Sequence, residues 1–163
     1  MDIQNQNLFL LENNDLSAAR IVAFLEKKFS NSLNITTFNN GSDLIKSIDK
    51  NTSIVILDYD LIGEKGDLIL MEIKKINPNI EVIILSSDED IATAIDAFRK
   101  GARSFLSKNK NTFSRIQNIV AGIVYYPAAI ISKFFGITEL VAIFVVEILY
   151  IGIVVFVGFQ ILK

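Results

Sequence analysis

The chain contains no cysteine and no histidine among its 163 residues. Those two absences exclude disulfides, thiol nucleophiles, the usual zinc ligand sets and any imidazole general base. Carboxylates, hydroxyls and lysines remain to carry chemistry. A surplus of positive charge is also missing: 16 Lys and Arg stand against 18 Asp and Glu, the net charge is −2 and the pI about 5.2. With no long basic run, the molecule offers no field for nucleic acid, and direct nucleic-acid binding is not expected. The opening Met1-Asp2-Ile3-Gln4-Asn5 lacks the basic start and apolar core of a secretory signal, which predicts a cytoplasmic amino terminus. The length suits one domain with a sizeable core and one appendage, not two full-sized domains.

What the sequence does have is a stretch of four apolar residues, Ile54-Val55-Ile56-Leu57, that runs into Asp58-Tyr59-Asp60. A continuous β-branched run suits a central strand of a parallel sheet covered on both faces. Asp58 then lies at its carboxyl end, where the ligand crevice of an open parallel sheet is found. Leu8-Phe9-Leu10-Leu11 followed by Glu12-Asn13-Asn14-Asp15 repeats the pattern, as does Glu81 to Leu85 ending in Ser86-Ser87. Ile35 to Phe38 reads as an edge strand, and Ser104-Phe105-Leu106 as a short last strand leading to Ser107-Lys108.

Between these strands the apolar residues recur at helical spacing. Ala18, Ile21, Val22, Phe24, Leu25 and Phe29 mark a first helix, capped by Asn14 or Asp15. Gly41-Ser42 opens a second through Leu44, Ile45 and Ile48, with Ser42 as the expected cap. A third carries Leu68 to Ile76 and ends at Asn77-Pro78; a fourth carries Ile91 to Phe98 and ends at Gly101. Phe113, Ile116, Ile119, Val120 and Ile123 mark a fifth. Strands alternating with helices predict an α/β fold, a doubly wound five-stranded parallel sheet of order 2-1-3-4-5 with helices on both faces. That order brings Glu12, Asp58, Ser86 and Lys108 to one rim.

Taken together, these residues resemble the receiver domain of two-component response regulators, the CheY-like fold, over residues 7–125. Asp58 stands where the family has its phosphoacceptor, Ser86 where it has a hydroxyl after the fourth strand, and Gly101-Ala102 with Phe105 to Lys108 matches the fifth-strand signature. Gly66 falls at the expected distance in the loop after Asp58. A carboxylate that attacks a phosphoryl group must approach an anion, so a cation is needed to spread the charge, usually Mg²⁺ held by oxygens and water. The resemblance implies Mg²⁺ on Glu12, Asn13, Asp58 and the Asp60 carbonyl, with Ser86 and Lys108 on the phosphoryl oxygens and Phe105 as the aromatic that moves with them. It also implies a sensor histidine kinase or phosphotransfer protein as phosphodonor, a downstream protein partner around the fourth and fifth helices, and a switch instead of a turnover enzyme. Two departures stand out. The family's second acid after the first strand is Asn13 here, which predicts weaker Mg²⁺ binding, and its two loop prolines are Ile62 and Asn109.

From Ile116 onward the only charges are Lys133, Glu139, Glu147 and Lys163. Residues 140–162 form a 23-residue stretch in which 17 are Leu, Ile, Val or Phe. As a helix it would be about 34 Å long at 1.5 Å per residue, against a bilayer core of about 30 Å. Its apolar residues contribute roughly −5 to −10 kcal/mol to insertion, against about +3 kcal/mol for the acid Glu147. The stretch therefore reads as a transmembrane helix joined by a linker, 126–139, to a receiver on the cytoplasmic face of the cell membrane. Glu147 would face a partner helix or be protonated. Packing of the tail inside a soluble assembly, including a homodimer, is the competing expectation. Ile119 to Pro127 with Gly136 to Glu139 is also similar to the linker of NarL-type regulators. Two other functions thus stand beside the tethered phosphoacceptor: a phosphorylation-independent interaction module, and a truncated NarL-type regulator without its DNA-binding domain.

Overall fold

The computed structural model describes residues 6–60, 66–87, 90–125 and 139–161. Five strands, β1 (Gln6–Leu11), β2 (Leu33–Phe38), β3 (Thr52–Asp58), β4 (Glu81–Ser86) and β5 (Ser104–Ser107), pair in parallel in the order β2-β1-β3-β4-β5. They alternate with α1 (Asp15–Phe29), α2 (Gly41–Ser47), α3 (Gly66–Ile76), α4 (Ile91–Arg99) and α5 (Thr112–Val124). The order is the one the alternation predicts. β3 lies at the centre because its Ile54 to Leu57 run can be buried on both faces, and all four are fully buried.

Side chains alternate across the sheet. On one face Phe9, Leu11, Val55, Leu57, Val82 and Ile84 join Leu44 of α2, Ile69, Leu70 and Ile73 of α3 and Ala97 of α4 in a single core. The residues between them, among them Leu8, Leu10, Ile54, Ile56 and Ile83, are buried from the other side. On α1, Ala18, Ile21, Leu25 and Phe29 are buried, and its Phe24 ring lies 5.7 Å from that of Phe113 in α5. Burying a Leu or Ile side chain is worth about 1.5–3 kcal/mol, so this two-sided core fixes the strand ends.

Several caps differ from expectation or sharpen it. Asn14 caps α1, its side chain accepting the Ser17 amide, while Asp15 is the first helical residue. Asn40, not Ser42, caps α2: Asn40 Oδ1 accepts the Asp43 amide at 2.9 Å, and Ser42 already lies inside the helix. Asp90 caps α4 and accepts from Thr93. Gly101 ends that helix with φ +97°, a left-handed conformation that favours glycine. Asp88, Glu89 and the 61–65 loop, with Ile62 and Gly63, lie outside the described residues.

The chain forms two compact units, Met1–Asn118 and Ile119–Lys163. In the second, α6 (Glu139–Ile161) is a continuous helix of 23 residues. Its described side chains are Val141, residues 143–153 and Phe156, and among the described residues no helix is long and apolar enough to cross a membrane. The transmembrane helix expected over residues 140–162 is therefore not shown among the described residues. Phe144, Ile148, Leu149, Ile151, Ile153 and Phe156 are all more than half exposed. The expected linker 126–139 lies outside the described residues except for Glu139.

Candidate functional site

The carboxyl ends of β1, β3, β4 and β5 meet at one open cleft of roughly 480 Å³, lined by Glu12, Asn13, Asp58, Asp60, Ser87 and Lys108 together with the α1 residues Ser17 and Arg20. Asp58, the last residue of β3, is 4% exposed. Its Oδ1 accepts from Lys108 Nζ at 2.6 Å and from the Asp60 amide at 3.0 Å. Among the described residues no donor reaches Oδ2. One oxygen is held, and the other is left with both lone pairs for an electrophile or a cation.

Lys108 follows β5 and is positioned by its amide, which donates to the Ser86 carbonyl at 2.8 Å. Burial alone would lower its pKa. The hydrogen bonds and charges of Asp58 and then Asp60 outweigh burial and raise it, so the ammonium stays charged. It reaches Asp60 Oδ2 as well, at 3.3 Å.

Asp60 does more than the sequence indicated. Its expected contribution was a backbone carbonyl, but its carboxylate accepts from Ser86 Oγ at 3.1 Å and from the Ser87 amide at 2.7 Å. Burial pushes its carboxyl up, and the Ser87 amide and hydroxyl with Lys108 more than reverse this, leaving the pKa below the usual carboxylate value. Ser86 itself is fully buried.

Glu12 is 4% exposed and lies in the cleft, but both its oxygens are engaged by the start of α1: Oε1 accepts the Asn14 amide at 3.0 Å and Oε2 accepts Ser17 Oγ at 2.9 Å. Asn13 is exposed beside it. Among the described residues no group of three acidic side chains is placed to hold a metal ion. The cleft still offers only hard oxygen donors near Glu12, Asn13, Asp58 and Asp60, the donor class Mg²⁺ takes while keeping several waters.

Phe105 is half-buried, packs against the core and meets the Tyr59 ring edge-on at a centroid distance of 6.3 Å. It sits opposite Ile84 in the sheet, two residues before the Ser86–Ser107 pair. Ser17, Arg20 and Ser87 line the cleft and were not among the residues expected there; of these, Arg20 brings a charge. It lies one helical turn beyond Ser17, and that i, i+3 spacing from a residue next to Glu12 was the available signal.

The response regulator receiver domain model matches residues 8–124. Among curated proteins, the DNA-binding transcriptional regulator NtrC of Escherichia coli (strain K12) is 34% identical over 77 residues, which is 47% of this chain and 16% of that protein. The Fimbriae Z protein of the same strain is 33% identical over 78 residues, 46% of this chain and 37% of that protein. The matched segment is thus a minor part of either relative. Among solved structures, the signal receiver domain of a LuxO repressor protein from Vibrio parahaemolyticus superposes with a TM-score of 0.66 at 24% identity, covering 74% of this chain and 90% of that one. The CheX-CheY-BeF3-Mg complex from Borrelia burgdorferi gives a TM-score of 0.64 at 21% identity, covering 72% and 88%. Those structural likenesses show the fold. With the family model spanning most of its length, the chain belongs to the response regulator receiver domain family.

Proposed function

We propose that the chain accepts a phosphoryl group on Asp58 and uses the resulting charge to alter a protein-binding surface, as a switch and not as a turnover enzyme. The observation that carries this is the division of labour on one carboxylate in the cleft: Lys108 and the Asp60 amide fix Oδ1, and among the described residues no donor holds Oδ2. In the transfer, Oδ2 forms the bond to phosphorus while the bond from phosphorus to the donor breaks, its electron pair leaving with the donor. Lys108 holds a phosphoryl oxygen as a point charge. Mg²⁺, when bound by Glu12, Asn13, Asp58 and the Asp60 carbonyl, supplies further charge neutralisation. Asn13 contributes no charge, so binding is weaker than in a site with another acid. The donor class is a sensor histidine kinase or a phosphotransfer protein.

The surface proposed to read the switch includes α4, whose Ile91, Ile95 and Phe98 are exposed at i, i+4 and i+7. A partner's apolar face would cover this stripe. Phosphoryl incorporation from an acyl phosphate tests the reading: it should need Mg²⁺ and stop when the ion is chelated. Incorporation that ignores chelation would count against the metal role.

The proposed location is the cytoplasmic face of a membrane, with α6 as anchor. The support is compositional: residues 140–162 contain no charge except Glu147. Expressed in cells, the full chain should stay in the membrane pellet through an alkaline wash. Recovery in the supernatant would leave the tail as a packing surface in an assembly.

A second reading is a module whose protein contacts do not depend on phosphorylation. It is favoured by one observation: the Asp60 carboxylate already occupies donors that a phosphoryl group would use.

A further inference from the structure

Three donors from two neighbouring strand ends, β4 and β5, meet on one carboxylate, and it is not Asp58. Ser86 Oγ at the end of β4 donates to Asp60 Oδ1 at 3.1 Å. The Ser87 amide donates to Asp60 Oδ2 at 2.7 Å, and Lys108 Nζ reaches the same oxygen at 3.3 Å. A hydroxyl, a backbone amide and an ammonium around two oxygens make an oxyanion site, because charge-assisted donors of this kind bind carboxylate and phosphoryl oxygens alike. The site shares Lys108 with Asp58, and the Asp60 amide donates to Asp58 Oδ1 at 3.0 Å, so the two carboxylates are held in one turn.

We propose that the Asp60 carboxylate is a built-in occupant of the phosphoryl-binding donors: it engages Ser86, Ser87 and Lys108 in the unphosphorylated chain, and phosphoryl transfer to Asp58 must displace it. The inference rests on reading Asp58 as the phosphoacceptor. Two consequences follow. The donors rest in an anion-bound arrangement before any transfer, with Phe105 already packed against the core. Phosphorylation is also slowed, because a third anion must enter beside two carboxylates that share one lysine. In the step itself, Asp58 Oδ2 bonds to phosphorus and the oxygen of the acyl phosphate leaves as a carboxylate. No proton moves, and Asp60 gives up its three donors to the new phosphoryl oxygens.

The test uses the full chain with acetyl phosphate and Mg²⁺, followed by intact mass over time in the wild type, Asp60→Ala, Asp60→Asn and Asp58→Asn. Removing the occupant should speed labelling several-fold. The gain should persist in high salt, which screens a general repulsion of the donor but not occupancy of the site. Equal or slower labelling in both Asp60 variants overturns the proposal, as does a gain that salt abolishes. A second readout needs no phosphorylation: hydrogen exchange at the Ser87 amide should be slow in the wild type and in Asp58→Asn, and faster in both Asp60 variants. Ser87 exchange that ignores Asp60 overturns the occupancy. Absence of labelling in every variant, with Ser87 protection still dependent on Asp60, overturns the phosphoacceptor reading while supporting the occupancy, so the two failures are distinguishable.

Discussion

Lys108 Nζ lies 2.6 Å from Asp58 Oδ1 and 3.3 Å from Asp60 Oδ2, so one ammonium is shared by two carboxylates, one at the end of β3 and one in the turn that follows it. Removing it leaves Asp58 buried without a counter-charge. Lys108→Ala should cost about 1–3 kcal/mol, the range for a buried charged group that loses its partner, moderated because the lysine is partly in solvent. Urea midpoints would show it. The cost should shrink in an Asp58→Asn background, since the two residues act through one contact. Additive losses would mean the contact is not what Lys108 contributes.

Gly66 begins α3 beneath Tyr59, and a Cβ there would lie 2.6 Å from Tyr59 Cδ2 and 3.0 Å from Tyr59 Cα. The backbone contact cannot be relieved by a rotamer change. Gly66→Ala should therefore destabilise by about 1–3 kcal/mol, as overpacking does. Tyr59 meets Phe105, so its near-ultraviolet circular dichroism should change as well. A wild-type midpoint with an unaltered spectrum would show that the loop absorbs the methyl freely.

Lys100 ties α3 to α4 by donating to Asp67 Oδ2 at 3.1 Å and to Asp96 Oδ2. Burial works to raise the Asp67 pKa, and the Lys100 hydrogen bond and charge reverse this to a net lowering from 3.8. A carboxyl whose pKa is depressed by folding contributes stability that is present above the unfolded value and lost as pH falls through the folded one. Asp67→Asn should therefore be less stable than wild type at neutral pH, and the gap should close below about 3.8. Urea midpoints between neutral and acid pH measure this. A gap that stays constant would assign the loss to packing.

The sheet order was legible because each buried strand is an uninterrupted apolar run ending in a polar residue, and the helices between carry their stripes at unmistakable spacing. Asp58, Ser86 and Lys108 were legible for the same reason: each terminates such a run, and the topology gathers run ends. The cap of α2 was not. Asn40 and Ser42 both carry capping side chains, and only the backbone decides which stands outside the first turn. Glu12 was half legible, since its place followed from β1 but its engagement by Asn14 and Ser17 depends on how α1 begins. The role of the Asp60 carboxylate lay beyond reach. Its partners, Ser86 and Ser87, are 26 and 27 residues away, and nothing local distinguishes a loop acid turned to solvent from one turned to the next strand.

The most direct measurement is the intact mass of the full chain after incubation with Mg²⁺ and an acyl phosphate, beside Asp58→Asn and a receiver known to accept phosphoryl groups. Addition of one phosphoryl group to the wild type and none to Asp58→Asn is the predicted result. An unmodified wild type under conditions that modify the control, or equal modification of Asp58→Asn, would contradict the assignment of Asp58 as phosphoacceptor.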